Sequence, residues 1–482
     1  MLYLSGGCAA GESDPGMPLS AADLAVFDEP MLLASWREPG SWPMRRHDPL
    51  QTGRIDVDLG TTELELAWQF QPSIYARSYE PTYATWTTPI AGTVDGRPML
   101  FVGSYDHNLY AVDVRTGKEV WRHTAGAPVL ATPALGYVKG KPAVFVPARD
   151  RNMYALDAAT GKPLWQYETR EWTFTAVPSL MTSPTVIETD GKTLVYVGVW
   201  NADRSATGNV QRGEMYCFNA DDGSVRWQER TSSTPGASPA IAPIDGRLTL
   251  FSASQAGVAR AMDALTGKTL WEFTLDNDSR SAPAVGAPDG YPRVYLGTRF
   301  NACYGLDART GKRRMRYQTG NWVDSAPALL GPRDDLRLVV GSFDFSLYTL
   351  PARTAGRHVD PVWTFRTGNW VHTSAAVARV GDKPVVLTIS WDAKLYMLGG
   401  DDGAVLWSYS CGDLLWSHVE QGDALWGSAT VATADGKPYV YYAAYDGVVY
   451  ALRGKAAPAP TTTTARSVAH PERTGIKELG SS

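Results

Sequence analysis

Residues 113–121 read Asp-Val-Arg-Thr-Gly-Lys-Glu-Val-Trp and residues 157–165 read Asp-Ala-Ala-Thr-Gly-Lys-Pro-Leu-Trp, one pattern repeated after 44 residues. Further copies close at Trp227, Trp271, Met315, Trp363 and Trp407, in steps of 62, 44, 44, 48 and 44 residues, with Met315 standing where the other copies have Trp. Self-similarity at this period means units that are each too small to bury their own apolar face, so the chain must stack them or set them in a ring.

Each unit resolves into strands. Met99-Leu-Phe-Val-Gly-Ser, Asn108-Leu-Tyr-Ala-Val-Asp and Glu119-Val-Trp-Arg-His are short β-branched and aromatic runs parted by polar turns. A fourth run precedes each triple, opening at Thr88-Pro89, Thr132-Pro133, Ser183-Pro184, Ser238-Pro239, Ala282-Pro283, Ala326-Pro327, Ser374-Ala375 and Ser428-Ala429. Four strands make one propeller blade. The pairs Thr160-Gly161, Asp222-Gly223, Thr266-Gly267 and Asp402-Gly403 fall between third and fourth strands, where glycine takes the positive φ of a tight hairpin. The Trp that follows each pair is expected to fill the widening gap between blades.

Eight such units can be counted, and the eighth lacks its fourth strand. Leu64-Glu-Leu-Ala-Trp68-Gln-Phe supplies a Trp-bearing strand with no triple before it. The expected fold is therefore all-β: a closed eight-bladed β-propeller of four-stranded antiparallel blades, its last blade closed by the N-terminal strand, which hides the free sheet edges. The expected division is a leading segment over 1–63, the propeller over 64–454 and an Ala/Pro/Thr-rich disordered tail over 455–482.

Charge narrows the function. The formal net charge is −5, and no Lys/Arg run is long enough to track phosphates, so no nucleic-acid partner is expected. Cys217 and Cys303 fall on third strands of blades 3 and 5, which are not neighbours, and Cys411 falls at the end of a fourth strand. These read as small packed thiols, not as ligands. No Cys-x-x-Cys-His, Gly-x-Ser-x-Gly or His-Glu-x-x-His motif is present.

The repeat Leu-Tyr-Ala-Leu/Val-Asp-x-x-Thr-Gly-Lys-x-x-Trp resembles that of the PQQ-like (pyrroloquinoline-quinone-type) β-propellers. The opening Trp42-Pro-Met-Arg-Arg-His-Asp-Pro-Leu-Gln-Thr-Gly53 is similar to the leading segment of bacterial members. The resemblance implies the fold more sharply than the function. The family includes quinoprotein alcohol and sugar dehydrogenases, and also non-catalytic lipoproteins such as the propeller subunit of the outer-membrane β-barrel assembly machinery. The alcohol dehydrogenases usually carry an adjacent Cys pair against the quinone, and no two cysteines are adjacent here. Calcium bridging a quinone to a catalytic Asp would need clustered oxygen ligands, for which Asp324, Asn321 and Glu420 are the candidates.

Leu4-Ser-Gly-Gly-Cys8 is similar to the lipobox of bacterial prolipoproteins, and a polar leash follows it. Diacylated Cys8 would anchor the propeller to a membrane. Only seven residues precede Cys8, so its signal peptide is expected to be truncated or absent; the alternative is an ordinary disordered N-terminus. Ala9, following that cysteine, is not the Asp that retains lipoproteins at the inner membrane of enteric bacteria, which favours the outer membrane. A short capped helix is expected from Ser20 to Phe27.

Chemistry or binding is expected where the fourth-to-first and second-to-third strand loops share one face. The residues three places before each inner-strand Pro, or its Ala equivalent, form a ring: Trp86, Leu130, Met181, Gly236, Arg280, Asp324, His372 and Trp426. Arg280, Asp324 and His372 come from consecutive blades, so Asp324 would hold the imidazolium or pair with Arg280. Trp172 is expected on the same face. Two matched loops, Thr319-Gly-Asn-Trp322-Val-Asp324 and Thr367-Gly-Asn-Trp370-Val-His372, add aromatics, and a third supplies Trp416, His418 and Glu420. One reading is a funnel site for a flat ring or a partner's side chain. The other is an Arg280–Asp324 pair that merely closes the channel. Residues 201–212, inserted between the second and third strands of blade 3, read as a lid, a docking loop or an idle excursion.

The expected function is thus a non-catalytic, membrane-tethered scaffold subunit of a cell-envelope complex, an outer-membrane lipoprotein facing the periplasm or the cell surface and needing no cofactor. Its expected binding face carries Trp86, Trp172, Arg280, Trp322, Asp324, Trp370, His372, Trp416, His418 and Trp426. The alternatives are a PQQ- and calcium-dependent dehydrogenase using Asp324, His372 and Arg280, and a propeller that binds a sugar or peptide.

Overall fold

Burial falls from the axis to the rim of every sheet. In the first blade the third strand Asn108–Asp113 is buried at all six positions, whereas the fourth, Glu119–Thr124, alternates between packed and exposed residues. Three strands rich in Val, Leu, Tyr and Ala therefore pack against neighbouring blades on both faces, and only the outermost has a wet side. The computed structural model describes residues 17–72, 75–77, 80–82, 87–169, 182–203, 210–231, 235–353, 359–410, 427–444 and 447–455.

Eight antiparallel four-stranded sheets ring an axis. Their innermost strands are Ile90–Val94, Ala134–Val138, Thr185–Thr189, Ala240–Ile244, Ala284–Gly286, Ala328–Leu330, Ala376–Val380 and Thr430–Ala434. The N-terminal strand Leu64–Phe70 pairs antiparallel with Val449–Gly454, so the last blade takes its rim strand from the other end of the chain, as the repeat count requires. Arg54–Asp58 adds a parallel fifth strand beside Ala376–Val380. In blade 3 the insertion lengthens a hairpin: Lys192–Asp203 and Val210–Asn219 stay paired out to Asp203 and Val210.

The repeated Trp does more than fill a gap. Six of the indoles lie on the turn glycine of the next blade and donate their Nε1–H to a carbonyl just past the third strand there: Trp68 to Val114 (2.6 Å), Trp121 to Ala158 (3.0 Å), Trp165 to Ala220 (2.6 Å), Trp227 to Ala264 (2.9 Å), Trp271 to Ala308 (2.9 Å) and Trp363 to Gly400 (2.9 Å). At Met315 the pattern is conserved by other means. The Tyr295 hydroxyl, from the second strand of the same blade, donates to the Ala352 carbonyl (3.0 Å), the equivalent acceptor on blade 6.

Glycine at the turn is required twice over. Gly161 has φ +72°, and a Cβ there would come within 2.5 Å of the Trp121 ring. Gly161→Ala is expected to cost about 2 kcal/mol, from left-handed strain plus overpacking. Its check is the urea midpoint against Gly140→Ala, where φ is +77° but nothing lies within 4 Å of the added methyl. Equal losses at the two sites would show that the indole contact contributes nothing.

The segment ahead of the propeller fills its axis. Its carbonyls accept from the inner strands of all eight blades: Trp42 from Ala91 (3.0 Å), Pro43 from Leu135 (2.7 Å), Leu33 from Glu188 (3.0 Å), Pro49 from Ile241 (2.8 Å), Leu50 from Val285 (3.0 Å), Thr52 from Leu329 (2.9 Å), Gly53 from Val377 (2.8 Å) and Gly40 from Thr433 (2.7 Å). Trp36 and Trp42 are each only 1% exposed. The helix Ala21–Asp28 precedes it, with the Ser20 hydroxyl accepting from the Asp23 N–H as its cap (3.1 Å). Asp23 in turn accepts from the Gly246 N–H of blade 4 (3.0 Å).

Candidate functional site

The two matched loops fold alike because each is pinned at both ends. The Gly320 and Gly368 N–H groups donate to Asp344 and Asp392 of the following blade, at 2.7 and 2.8 Å. Those carboxylates also accept from the hydroxyls of Tyr348 and Tyr396, at 2.7 and 2.6 Å. The Asn321 and Asn369 side-chain oxygens accept from the N–H of Trp322 and Trp370, both at 2.8 Å. An Asn that caps the next backbone amide makes a local turn and fixes where the following indole leaves the chain.

Below the two indoles lies a base of rings. Phe343 is 5.6 Å from Trp322, 5.1 Å from Trp370 and 5.2 Å from the His372 ring, between centroids, and Trp391 is 4.7 Å from Trp370. Phe343 and Trp391 are buried, Trp370 is half-buried and Trp322 is 40% exposed. The outcome is a ledge with a rigid floor and one open edge.

Beside the ledge runs a line of charges. The Asp324 carboxylate has no exposed side-chain surface, and Arg299 grips it with Nη2 at 2.7 Å and Nε at 3.1 Å from both oxygens. His372 Nε2 stands 3.7 Å from the same carboxylate, and the Arg299 guanidinium lies 4.5 Å over the Trp322 ring. Burial alone would push the Asp324 carboxyl up. Hydrogen bonds and charge from His372 and Arg299 outweigh it and hold the group at about 2.

The expected Arg280–Asp324 pair is corrected. Arg280 pairs with Asp278 (3.6 Å), two residues back in its own loop, while Asp324 is claimed by the forked donor Arg299. Asp278 also stands 4.0 Å from Arg299. Its carboxyl is raised by burial against the pull of Arg299 and Arg280, and Arg280 is lowered by burial and by the charge of Arg299. The Asp324–His372 contact is present as expected. Trp86, Trp172, Trp416, His418, Glu420, Trp426, Cys8 and Cys411 lie outside the described residues.

Arg299, Asp278, Phe343 and Trp391 did not enter the sequence-derived site. Three of them share a register that could have been aligned. Ser104-Tyr105, Ala148-Arg149, Ser254-Gln255, Thr298-Arg299, Ser342-Phe343 and Ser390-Trp391 each place one large side chain directly after a small residue closing the second strand. That second ring meets the first on the same face.

Calcium does not fit here. Asp324 already faces two guanidinium nitrogens and an imidazole, and the Asn321 side-chain oxygen is taken by the Trp322 amide. Among the described residues no group of three His, Cys, Asp or Glu side chains is placed to hold a metal. Cys217 and Cys303 are free and buried, and burial pushes both thiols up to about 12, which suits packing and not nucleophilic chemistry. A pocket of about 590 Å³ lies on the opposite face, under the helix Ala21–Asp28, lined by Leu24, Phe27, Leu329, Leu336, Asp289 and Arg333 among others. It contains none of the predicted site residues.

A family model described as outer membrane protein assembly factor BamB matches residues 65–250 and 254–472. No curated protein matches the chain. Among solved structures, the quinohemoprotein alcohol dehydrogenase of Comamonas testosteroni is 15% identical with a TM-score of 0.62, over 88% of this chain and 82% of that one. A europium-containing methanol dehydrogenase is 14% identical, also at 0.62, over 86% and 98%. Sqt1 of Saccharomyces cerevisiae is 12% identical at 0.57, over 78% and 97%. At such identities the likeness shows the propeller alone.

Proposed function

The chain belongs to the family described as outer membrane protein assembly factor BamB, and from that premise we propose that it is a non-catalytic scaffold propeller of a cell-envelope complex, tethered to the outer membrane through lipid on Cys8. The observation that carries the binding role is the ledge of Trp322 and Trp370, exposed along one edge and braced from below by Phe343 and Trp391. Rigid indoles supply large contact area at small entropic cost, which is the character of an interface hot spot. The charges beside the ledge are spent on one another, Arg299 on Asp324 and Arg280 on Asp278, so they shape and orient the site.

Trp322→Ala combined with Trp370→Ala is expected to cut recovery of the envelope partner by tenfold or more, on the order of two hot-spot truncations. The check is quantitative co-purification from membranes in mild detergent, with circular dichroism confirming the β-sheet signal. Undiminished recovery would move the interface to another surface. Intact mass of the same preparation reports whether Cys8 carries acyl chains, and an unmodified Cys8 in the mature protein would sink the tether.

A further inference from the structure

The axial segment carries two adjacent arginines, neither of which makes an ion pair with a carboxylate among the described residues. Arg46 is 2% exposed and spends its guanidinium on backbone carbonyls: Ala375 at 2.5 Å, Pro327 at 2.7 Å and Thr52 at 3.4 Å. The one carboxylate on the segment beside it, Asp48, is fully buried and accepts from the Thr52 N–H and hydroxyl, with His47 Nδ1 at 3.3 Å. Among the described residues no hydrogen bond or ion pair reaches Arg45. Arg45 is half-buried although Met44 and Arg46 on either side of it are fully buried, and the segment is ringed by all eight inner strands. Its accessible surface therefore opens onto the axis.

A second observation points the same way. Trp42 Nε1, Arg46 Nε, Gln51 Oε1 and Ser238 Oγ are buried without a partner among the described residues. Three lie on the axial segment. The fourth belongs to the ring of hydroxyls just before the inner strands, where Thr88, Thr132, Ser183, Ser374 and Ser428 pass hydrogen bonds from blade to blade. Three of the four orphaned atoms are donors. Burial pushes Arg45 down to about 10 and, with repulsion by Arg45 and against the pull of Asp48, Arg46 down to about 9, so an anion beside Arg45 is favoured.

We infer that the axis of this propeller binds a small oxyanion, a carboxylate or phosphate, against the guanidinium of Arg45. The planar fork of Arg matches two oxygens of such a group, and the orphaned donors of the axial segment and of the hydroxyl ring are further donors that the axis offers. The site is separate from the Trp ledge and does not rest on the scaffold reading.

The test titrates the full chain with inorganic phosphate and, in a parallel arm, with acetate, by calorimetry and thermal midpoint, so that the two arms distinguish the oxyanion classes. Saturable one-to-one binding is expected in at least one arm. Arg45→Gln should weaken it roughly tenfold or more, as loss of a charged hydrogen-bond donor does, and should raise the midpoint of the anion-free protein. Arg45→Lys, which keeps the charge and loses the fork, should fall between. Saturation in neither arm, or equal affinity in Arg45→Gln, overturns the site. Should Arg45→Gln not fold, Arg45→Lys decides it: affinity below that of the wild type in the arm that saturates supports the inference, and equal affinity overturns it.

Discussion

Asp324→Asn is expected to lower the free energy of unfolding by about 3–5 kcal/mol, the cost of stranding a buried charge whose partner has been removed. The substitution preserves shape, and its effect is electrical. Arg299 loses the carboxylate that it grips through two nitrogens, and His372 loses the anion 3.7 Å away. Asp278, 4.0 Å from Arg299, is the only other carboxylate near it among the described ion pairs, and it is shared with Arg280. That partial substitute places the expected loss toward the lower end of the range.

The same pair makes a pH signature. Asp324 titrates at about 2 in the folded protein and near 4 when unfolded, so it contributes stability, on the order of 2 kcal/mol, that is fully present above about pH 4 and is lost as pH falls through 2. Denaturation curves at a series of pH values from 6 to 2 should show this component in the wild type and not in Asp324→Asn, so the gap between the two curves narrows by about 2 kcal/mol toward the acid end. Parallel curves would mean that the carboxylate is not held by Arg299 and His372. A catalytic carboxylate with no structural duty would instead leave stability unchanged.

How the architecture could be read from the chain, and where that reading ran out, follows from periodicity. The 44-residue spacing exposes the blades because the Trp, the turn Gly and the acceptor carbonyl form one contact repeated between neighbours, as Trp121, Gly161 and Ala158 show. A break at Met315 is visible in the sequence, but its remedy is not, because Tyr295 belongs to another strand and reaches Ala352 only in three dimensions. In the site, Asp324 and His372 were legible from one register, three residues ahead of the inner strands. Arg299 lies in a second register, and only the crossing of the two shows which cation Asp324 takes. The axial segment has no period at all. Trp36, Trp42 and Arg46 are buried by the ring as a whole, and no repeat unit announces a residue that touches all of them at once.

That aperiodic segment carries the second large effect. Trp42→Ala is expected to cost about 3–5 kcal/mol, as removal of a buried Trp does when its surroundings cannot collapse. Trp42 is 1% exposed, packs 5.1 Å from the His47 ring and exchanges both backbone hydrogen bonds with Ala91. Around it the chain cannot adjust freely, since Arg46, His47 and Gln51 hold left-handed φ of 62°, 76° and 59° in order to turn within the channel. If the segment unites the ring, loosening it at one point should speed hydrogen exchange at the inner-strand amides of Leu135, Ile241, Val285, Leu329 and Val377, all of which donate to it, as well as at Ala91. Acceleration confined to blade 1, with a loss below about 1 kcal/mol, well under the range for a buried Trp, would show instead that the blades close on one another and that the segment merely occupies the space they leave.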